Sequence, residues 1–344
     1  MKKIKVLIIE DSKVVRTLLE EVINRDPWLT VVGAVESAEE GIRLLPRLKP
    51  DVISLDIRLP GMNGFEATER IMTDHPTPIV ICSASVEKED LKVSINALKA
   101  GALSIVEKPD ATMRSQFEKM TVELCTQLAI MSEVKVVRQR PGRRITRAVK
   151  HPTPVVTGYG PFQMLGIVAS TGGPAALEKV LTALPRNFSL PILLVQHITS
   201  TFLEGFVGWL SSVTKFPASI AQEGEVPEPG HIYVAPADRH LVVRSGRLYL
   251  ASSAPVHLQR PSGTVLFESM AKDLGKTGLG ILLTGMGEDG AKGLLALREA
   301  GGYTIAEDES TAVVYGMPGT AVRLGGVSES LPLHEISGRI LELV

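Results

Sequence analysis

LGIVASTGGPAAL, residues Leu165 to Leu177, is an apolar run that ends in Ser170, turns through Gly172 and Gly173, and passes Pro174 into a helical pattern. Consecutive apolar residues predict a strand buried on both faces, followed at once by a helix. A serine at the carboxyl end of such a strand lies beside the unpaired N–H groups of the helix start, donors of the kind that hold an oxyanion.

Two further stretches repeat this arrangement. LPILLVQH, from Leu190, ends the next apolar run in His197, and LGILLTGMGEDG, from Leu279, carries Asp289 in the loop after a later one. In an open parallel α/β sheet the carboxyl ends of the strands share one rim, where ligands bind. Serine, histidine and aspartate on that rim are candidates for nucleophile, general base and imidazole orienter. Asp289 also reads as a helix N-cap before AKGLLALREA, and Glu288 is the second candidate orienter. His231 and His240 flank HIYVAP, His257 falls in a loop, and His75 and His151 precede prolines, so they compete less well for the base. Val168 stands where a G-x-S-x-G elbow requires glycine. A dinucleotide site lacks its G-x-G-x-x-G, and the strand after the serine strand ends in Gln196-His197 instead of an acid. A phosphate loop lacks its Gly-Lys-Ser/Thr ending.

The chain has 344 residues, enough for about two domains at roughly 100 to 200 residues each. A formal net charge of -1 with 22% charged residues gives no general case for a nucleic-acid partner. Cys82 and Cys125 are far apart and outside any Cys-x-x-Cys pattern, which argues against a disulfide framework or a thiolate metal site. The opening MKKIKVLIIED has too short an apolar segment for a signal peptide, and no span reaches membrane length. A cytoplasmic protein is expected.

Residues 1 to about 110 alternate short apolar runs with amphipathic stretches. KVLIIE, LTVVGAV, DVISLD, PIVICS and ALSIVEK read as strands; Ser12–Asn24, Ala38–Leu48, Gly64–Thr73 and Glu89–Ala100 read as helices. Five strands interleaved with helices predict a doubly wound α/β domain. Polar residues collect at the strand ends: Glu10 and Asp11 after the first, Asp56 after the third, Ser83 at the fourth and Lys108 after the fifth. Three converging carboxylates call for a hard divalent cation with oxygen ligands, Mg²⁺ by preference.

IIEDS, DVISLDIRLPGMNG, PIVICSAS and VEKP resemble response-regulator receiver domains, and the resemblance covers residues 1–125. It implies that Asp56 is the phosphoacceptor, that Glu10, Asp11, Asp56 and the Arg58 backbone carbonyl bind Mg²⁺, and that Ser83 and Lys108 form the phosphorylation switch. Ile105 occupies the position three before Lys108 where receivers usually carry an aromatic residue.

After Pro109, Met113, Phe117, Met120, Leu124, Leu128 and Met131 recur at helical spacing, as expected of a last receiver helix packing on its own sheet. Lys135–Lys150 then holds seven basic residues and no acid, with Pro141-Gly142 inside, and reads as a linker within residues 126–160. Residues 161–344 alternate strand and helix again. HLVVRSGRLYL predicts a β-hairpin turning at Ser245-Gly246. A helix is expected around Phe202–Leu210, and TAVVYGMPGTAVRLGG and HEISGRILELV have helical character. The class is a parallel sheet with helices on both faces and an inserted hairpin.

LGIVASTGGP, LLVQH, PGHIYVAPADRHL, QRPSGTVLFESMA, ILLTGMGEDGAKGLLAL and VYGMPGTAVRLGGVSESLPL together resemble the catalytic domain of chemotaxis protein-glutamate methylesterases of the CheB type. The resemblance implies Ser170 as nucleophile, His197 as base, Asp289 as orienter, and the backbone N–H groups of Thr171 and Met286 as oxyanion donors, with no cofactor in this domain. It also implies a phosphorylation-activated enzyme that demethylates glutamate γ-methyl esters and deamidates glutamines. Its phosphodonor would be a chemotaxis histidine kinase and its substrate the cytoplasmic helices of methyl-accepting chemoreceptors, with no nucleic-acid partner and no membrane insertion. Departures from the family pattern are Val168, Ile198-Thr199-Ser200, Gln259 and Glu288. Two other readings are a non-catalytic phosphate sink that binds receptors, and a DNA-binding response regulator, against which stands the lack of a helix-turn-helix pattern.

Overall fold

The computed structural model describes residues 3–83, 97–98, 100–109, 114–134, 136 and 162–344. Two compact units divide the chain, Met1–Pro152 and Thr153–Val344. Most of the helix expected at 89–100, position 113, and the basic stretch except Val136 lie outside the described residues.

The first unit runs β1 (Ile4–Ile9), α1 (Lys13–Arg25), β2 (Leu29–Val35), α2 (Ala38–Leu48), β3 (Val52–Leu55), α3 (Gly64–Asp74), β4 (Ile79–Ser83), β5 (Ser104–Glu107) and α4 (Arg114–Met131). All strand pairs are parallel, in the order β2-β1-β3-β4-β5. Every residue of β3 and β4 is buried, as strands covered by helices on both faces must be. Helix starts follow local chemistry. Ser12 Oγ accepts the Val15 N–H ahead of α1, and Asn63 and Glu66 form a reciprocal capping box at α3. Helix α4 packs on β3, β4 and β5 and buries Met120, Leu124, Leu128 and Met131, so the apolar stripe serves its own sheet. Because β2 and β3 flank β1 on opposite sides, the chain reverses direction across the sheet there, and a crevice opens at the carboxyl ends of β1 and β3.

The second unit runs β6 (Met164–Ala169), α5 (Gly173–Thr182), β7 (Ile192–Gln196), α6 (Ser200–Val213), β8 (Ala218–Ile220), β9 (Ile232–Val234), β10 (His240–Arg244), β11 (Arg247–Ala251), α7 (Gly263–Asp273), β12 (Gly278–Leu282), α8 (Ala291–Glu299), β13 (Tyr303–Glu307), α9 (Met317–Arg323), β14 (Glu329–Leu331) and α10 (Leu333–Leu343). Seven parallel strands form one sheet in the order β14-β13-β12-β6-β7-β9-β8. The strand carrying Ser170 is therefore central, with the His197 strand on one side and the strand preceding Asp289 on the other. Val168, Leu282, Leu294, Phe267 and Met270 belong to the core beneath them.

The hairpin β10–β11 is antiparallel and turns at Ser245 and Gly246, both at positive φ (49° and 68°), as a two-residue primed turn requires. It packs on α7 and stays outside the seven-stranded sheet. Two expectations need correction. Helix α6 runs Ser200–Val213, longer than Phe202–Leu210. Residues 311–316 are not helical: the Val314 carbonyl accepts from Gly285 N–H and the Val314 N–H donates to Thr284 Oγ1, so these groups serve the β12 rim and only Met317–Arg323 becomes helix. The three-residue strands β8 and β14 were not foreseen, being too short to show a period. Among the described residues no helix is long and apolar enough to cross a membrane.

Candidate active site

Strand register places Ala169 opposite Gln196, so Ser170 and His197 follow as neighbours at the rim. The His197 N–H donates to the Ala169 carbonyl at 3.0 Å, and the Ser170 N–H donates to the Thr284 carbonyl at 3.0 Å on the other side. Beyond Ser170 the chain makes a turn closed by Gly173 N–H to the Ser170 carbonyl at 2.8 Å, with Gly172 at φ 76° and ψ −4°. That is the third position of a type II turn, which a residue with a Cβ occupies only under strain. Gly173 is required by space, since a Cβ there would collide with the Gln196 carboxamide.

His197 Nε2 lies 2.9 Å from Asp289 Oδ2. Asp289 is buried and accepts three further hydrogen bonds, from Ser262 Oγ at 2.5 Å, Gly263 N–H at 2.6 Å and Thr264 N–H at 3.2 Å. Ser262 is the N-cap of α7, so the carboxylate sits on that helix's N-terminus, where unpaired amides and the helix dipole both favour negative charge. Burial alone would raise its pKa. The hydrogen bonds from His197, Ser262 and Gly263 outweigh that and hold it at about 2. The expectation that Asp289 caps its own helix is corrected: the N-cap of α8 is Gly290, and the Asp289 side chain serves α7 instead. An ionised carboxylate accepts only, so Nε2 is the donor of this pair and Nδ1 is the ring nitrogen left for another partner.

The Ser170 hydroxyl makes no hydrogen bond among the described residues. The Thr171 and Met286 N–H groups, the expected oxyanion donors, likewise have no partner among the described residues. Thr171 is buried and Met286 is exposed. Two buried side chains that the sequence reading did not single out brace these positions. Gln196 Nε2 donates to the carbonyls of both Ser170 and His197, at 2.9 and 3.0 Å. Thr284 Oγ1 donates to the Thr171 carbonyl at 2.9 Å, while the Thr284 N–H donates to Glu307 Oε2 at 2.8 Å. Their only sequence signal is polarity at the ends of otherwise apolar strands.

Glu288 does not substitute for Asp289. Its Oε1 lies 2.8 Å from His257 Nδ1. His240 is fully buried and spent structurally, with Nδ1 accepting the Ser262 N–H and Nε2 against the Ala254 carbonyl. His231 pairs with Ser219 at 2.8 Å beside the outermost strands, away from the rim.

In the first unit, Glu10, Asp11 and Asp56 each bring a carboxylate oxygen within 4.8 Å of the others. Lys108 Nζ lies 2.7 Å from Glu10 Oε2 and 2.9 Å from Asp56 Oδ2. Ser83 is buried at the end of β4, and its carbonyl accepts the Lys108 N–H at 3.1 Å. Arg58 lies in the loop after β3, its backbone N–H bonded to the Asp56 carboxylate. Burial, reinforced for Glu10 by Asp56, raises the pKa of both acids. Burial opposes the charge on Lys108, but Asp56 and Glu10 more than offset it and raise its pKa. Three carboxylates against one ammonium leave an oxygen-lined, electronegative pocket with Asp11 open to solvent, a donor set suited to a hard divalent cation. Ile105 is half-buried and packs against the core of this unit.

A five-stranded doubly wound unit with this pocket, joined in one chain to an α/β unit bearing a serine, a histidine–aspartate pair and free backbone donors, defines a response regulator with a hydrolase-like output domain. Residues 6–116 match the response regulator receiver domain, and residues 165–340 match CheB methylesterase. The chain belongs to the CheB methylesterase family. It is 54% identical, over 99% of its length and 98% of the relative's, to the protein-glutamate methylesterase/protein-glutamine glutaminase 2 of Paramagnetospirillum magneticum. Identity to protein-glutamate methylesterase/protein-glutamine glutaminase 1 of Syntrophus aciditrophicus is 42%, over 99% and 98%. The crystal structure of the Thermotoga maritima CheB methylesterase catalytic domain aligns with a TM-score of 0.51 at 34% identity, covering 53% of this chain and 99% of that one.

Proposed function

We propose that the chain is a phosphorylation-activated protein-glutamate methylesterase that hydrolyses glutamate γ-methyl esters on chemoreceptor signalling helices and deamidates glutamines there. The observation that carries the reading is the His197–Asp289 pair, seated on the α7 N-terminus and flanked by Ser170 and two free backbone donors. His197 Nδ1 takes the Ser170 Oγ proton as the oxygen attacks the ester carbonyl. The oxyanion is held by the N–H groups of Thr171 and Met286, and each such donor typically contributes a hundred- to thousandfold in rate, roughly. Methanol leaves with the proton from the imidazolium, and water, activated by the same nitrogen, releases the free glutamate and restores Ser170. Glutamine follows the same course with ammonia as leaving group.

In the first unit Asp56 is the phosphoacceptor, with a histidine kinase as donor. Glu10, Asp11, Asp56 and the Arg58 carbonyl would hold Mg²⁺, which when bound neutralises charge on the incoming phosphoryl group. Lys108 and Ser83 supply a cation and a hydroxyl to the added oxygens. The domains are residues 1–125 for the receiver, 126–160 for the helix extension and linker, and 161–344 for the hydrolase, acting in the cytoplasm. The test is methanol release from methyl-labelled receptor preparations. Wild-type protein should release label, faster after treatment with a phosphodonor, and Ser170→Ala should release none while retaining its thermal midpoint. A Ser170→Ala protein that still released methanol would refute the proposal.

A further inference from the structure

Val256 N–H donates to the Gln259 carbonyl at 3.1 Å, and Gln259 N–H donates back to Val256 at 2.9 Å. These two bonds close a two-residue hairpin whose tip is His257 at φ 49° and Leu258 at φ 63°. Paired positive φ angles are those of a type I′ turn, which favours Asn-Gly because a side chain crowds the backbone there. A leucine in this region is an outlier, and here it stands 94% exposed, so it contributes nothing to the core. Strain of this kind persists only where the surroundings over-determine it, and it concentrates at functional sites.

The surroundings do over-determine it. His257 is tied to Glu288 at 2.8 Å, and four residues after Leu258 the Ser262 hydroxyl is tied to Asp289 at 2.5 Å. One residue of the tip and one residue after it are therefore fastened to adjacent residues of the loop that carries Asp289 and Met286. Met286, itself 47% exposed, is an apolar side chain of that loop. A turn needed only to reverse the chain would gain nothing from a solvated leucine. Neither would the hydrolysis of a small ester, for which the triad and the backbone donors suffice.

We infer that Leu258 is a specificity-determining residue: the strained tip presents it to the aliphatic side of the polypeptide that flanks the ester-bearing side chain. The inference rests on the methylesterase reading above and names how a protein substrate is told from a small ester. Burial of one aliphatic side chain in the complex, absent with a small ester, sets the expected size of the effect.

The experiment measures kcat/KM on methylated receptor and on a small soluble ester for the full-length protein, and takes their ratio. Leu258→Asn and Leu258→Gly both remove the apolar contact while suiting positive φ; Leu258→Met keeps the contact. In the first two the ratio should fall about tenfold or more, chiefly through KM on receptor, while the thermal midpoint rises and so verifies folding. Leu258→Met should restore the ratio. An unchanged ratio in Leu258→Asn, with wild-type protein active on receptor, overturns the inference alone. Acceleration of the unphosphorylated variant on both substrates without a KM change also overturns it, because the substitution then acts on turnover and not on substrate recognition. A wild-type protein that cleaves the small ester but not receptor overturns the substrate reading and this inference together.

Discussion

Asp289 accepts the Gly263 amide hydrogen at 2.6 Å across 26 residues of sequence, so the acid that steadies His197 is held by a helix that precedes it in the chain. Replacing Asp289 by Asn keeps the shape but removes the charge and reverses the tautomer that leaves Nδ1 free. Ester hydrolysis should fall by about four orders of magnitude in kcat, read in steady-state kinetics.

The same carboxylate gives the second unit an acid-sensitive contribution. Its folded pKa of about 2 lies below the ordinary 3.8, so the stabilisation is complete above about pH 4 and disappears as pH falls towards 2. The contribution is on the order of 2 kcal/mol. Denaturant titrations between pH 2 and pH 5 should show this slope in the wild type and lack it in Asp289→Asn.

Glu307 behaves in the opposite sense. Burial raises its pKa above 4.5, so the folded state favours the protonated form and stability is lost as pH rises from the unfolded value through the folded one. Glu307→Gln can still accept the Thr284 N–H without carrying charge. The variant should therefore melt higher than wild type at pH 8, with the gain gone near pH 4.

Gln196 braces the proposed nucleophile and the proposed base at once. Gln196→Leu leaves the Ser170 and His197 carbonyls without this donor and should cost roughly 1–3 kcal/mol in denaturant unfolding. It should lower kcat far more than it changes KM, because the loss is of positioning.

In the receiver, Asp56→Asn should abolish uptake of label from a small acyl phosphate. Asp11→Asn should weaken Mg²⁺ binding by about tenfold or more, measured by calorimetry, because it removes the solvent-facing carboxylate of the cluster.

The strands that carry the sites were legible because each is a run of apolar residues closed by a polar one: IIED, ISLD, VAS and LVQH. The Ser245-Gly246 turn was equally readable from local rules. What could not be read is non-local. Nothing in GEDG says that Asp289 serves α7, because the residue next to it, Gly290, begins a helix of its own. TAVVYG looked helical by composition, yet its backbone groups are spent on Thr284 and Gly285. His257-Leu258 lacked every turn signal, since a strained tip is by nature one that propensity does not foresee.

The seven-stranded sheet ends at both margins in strands of three residues, β8 and β14. A second molecule meeting either margin finds only a few free backbone groups to zip onto, too few for edge-to-edge growth. Concentrated preparations should accordingly stay dispersed instead of polymerising through this sheet.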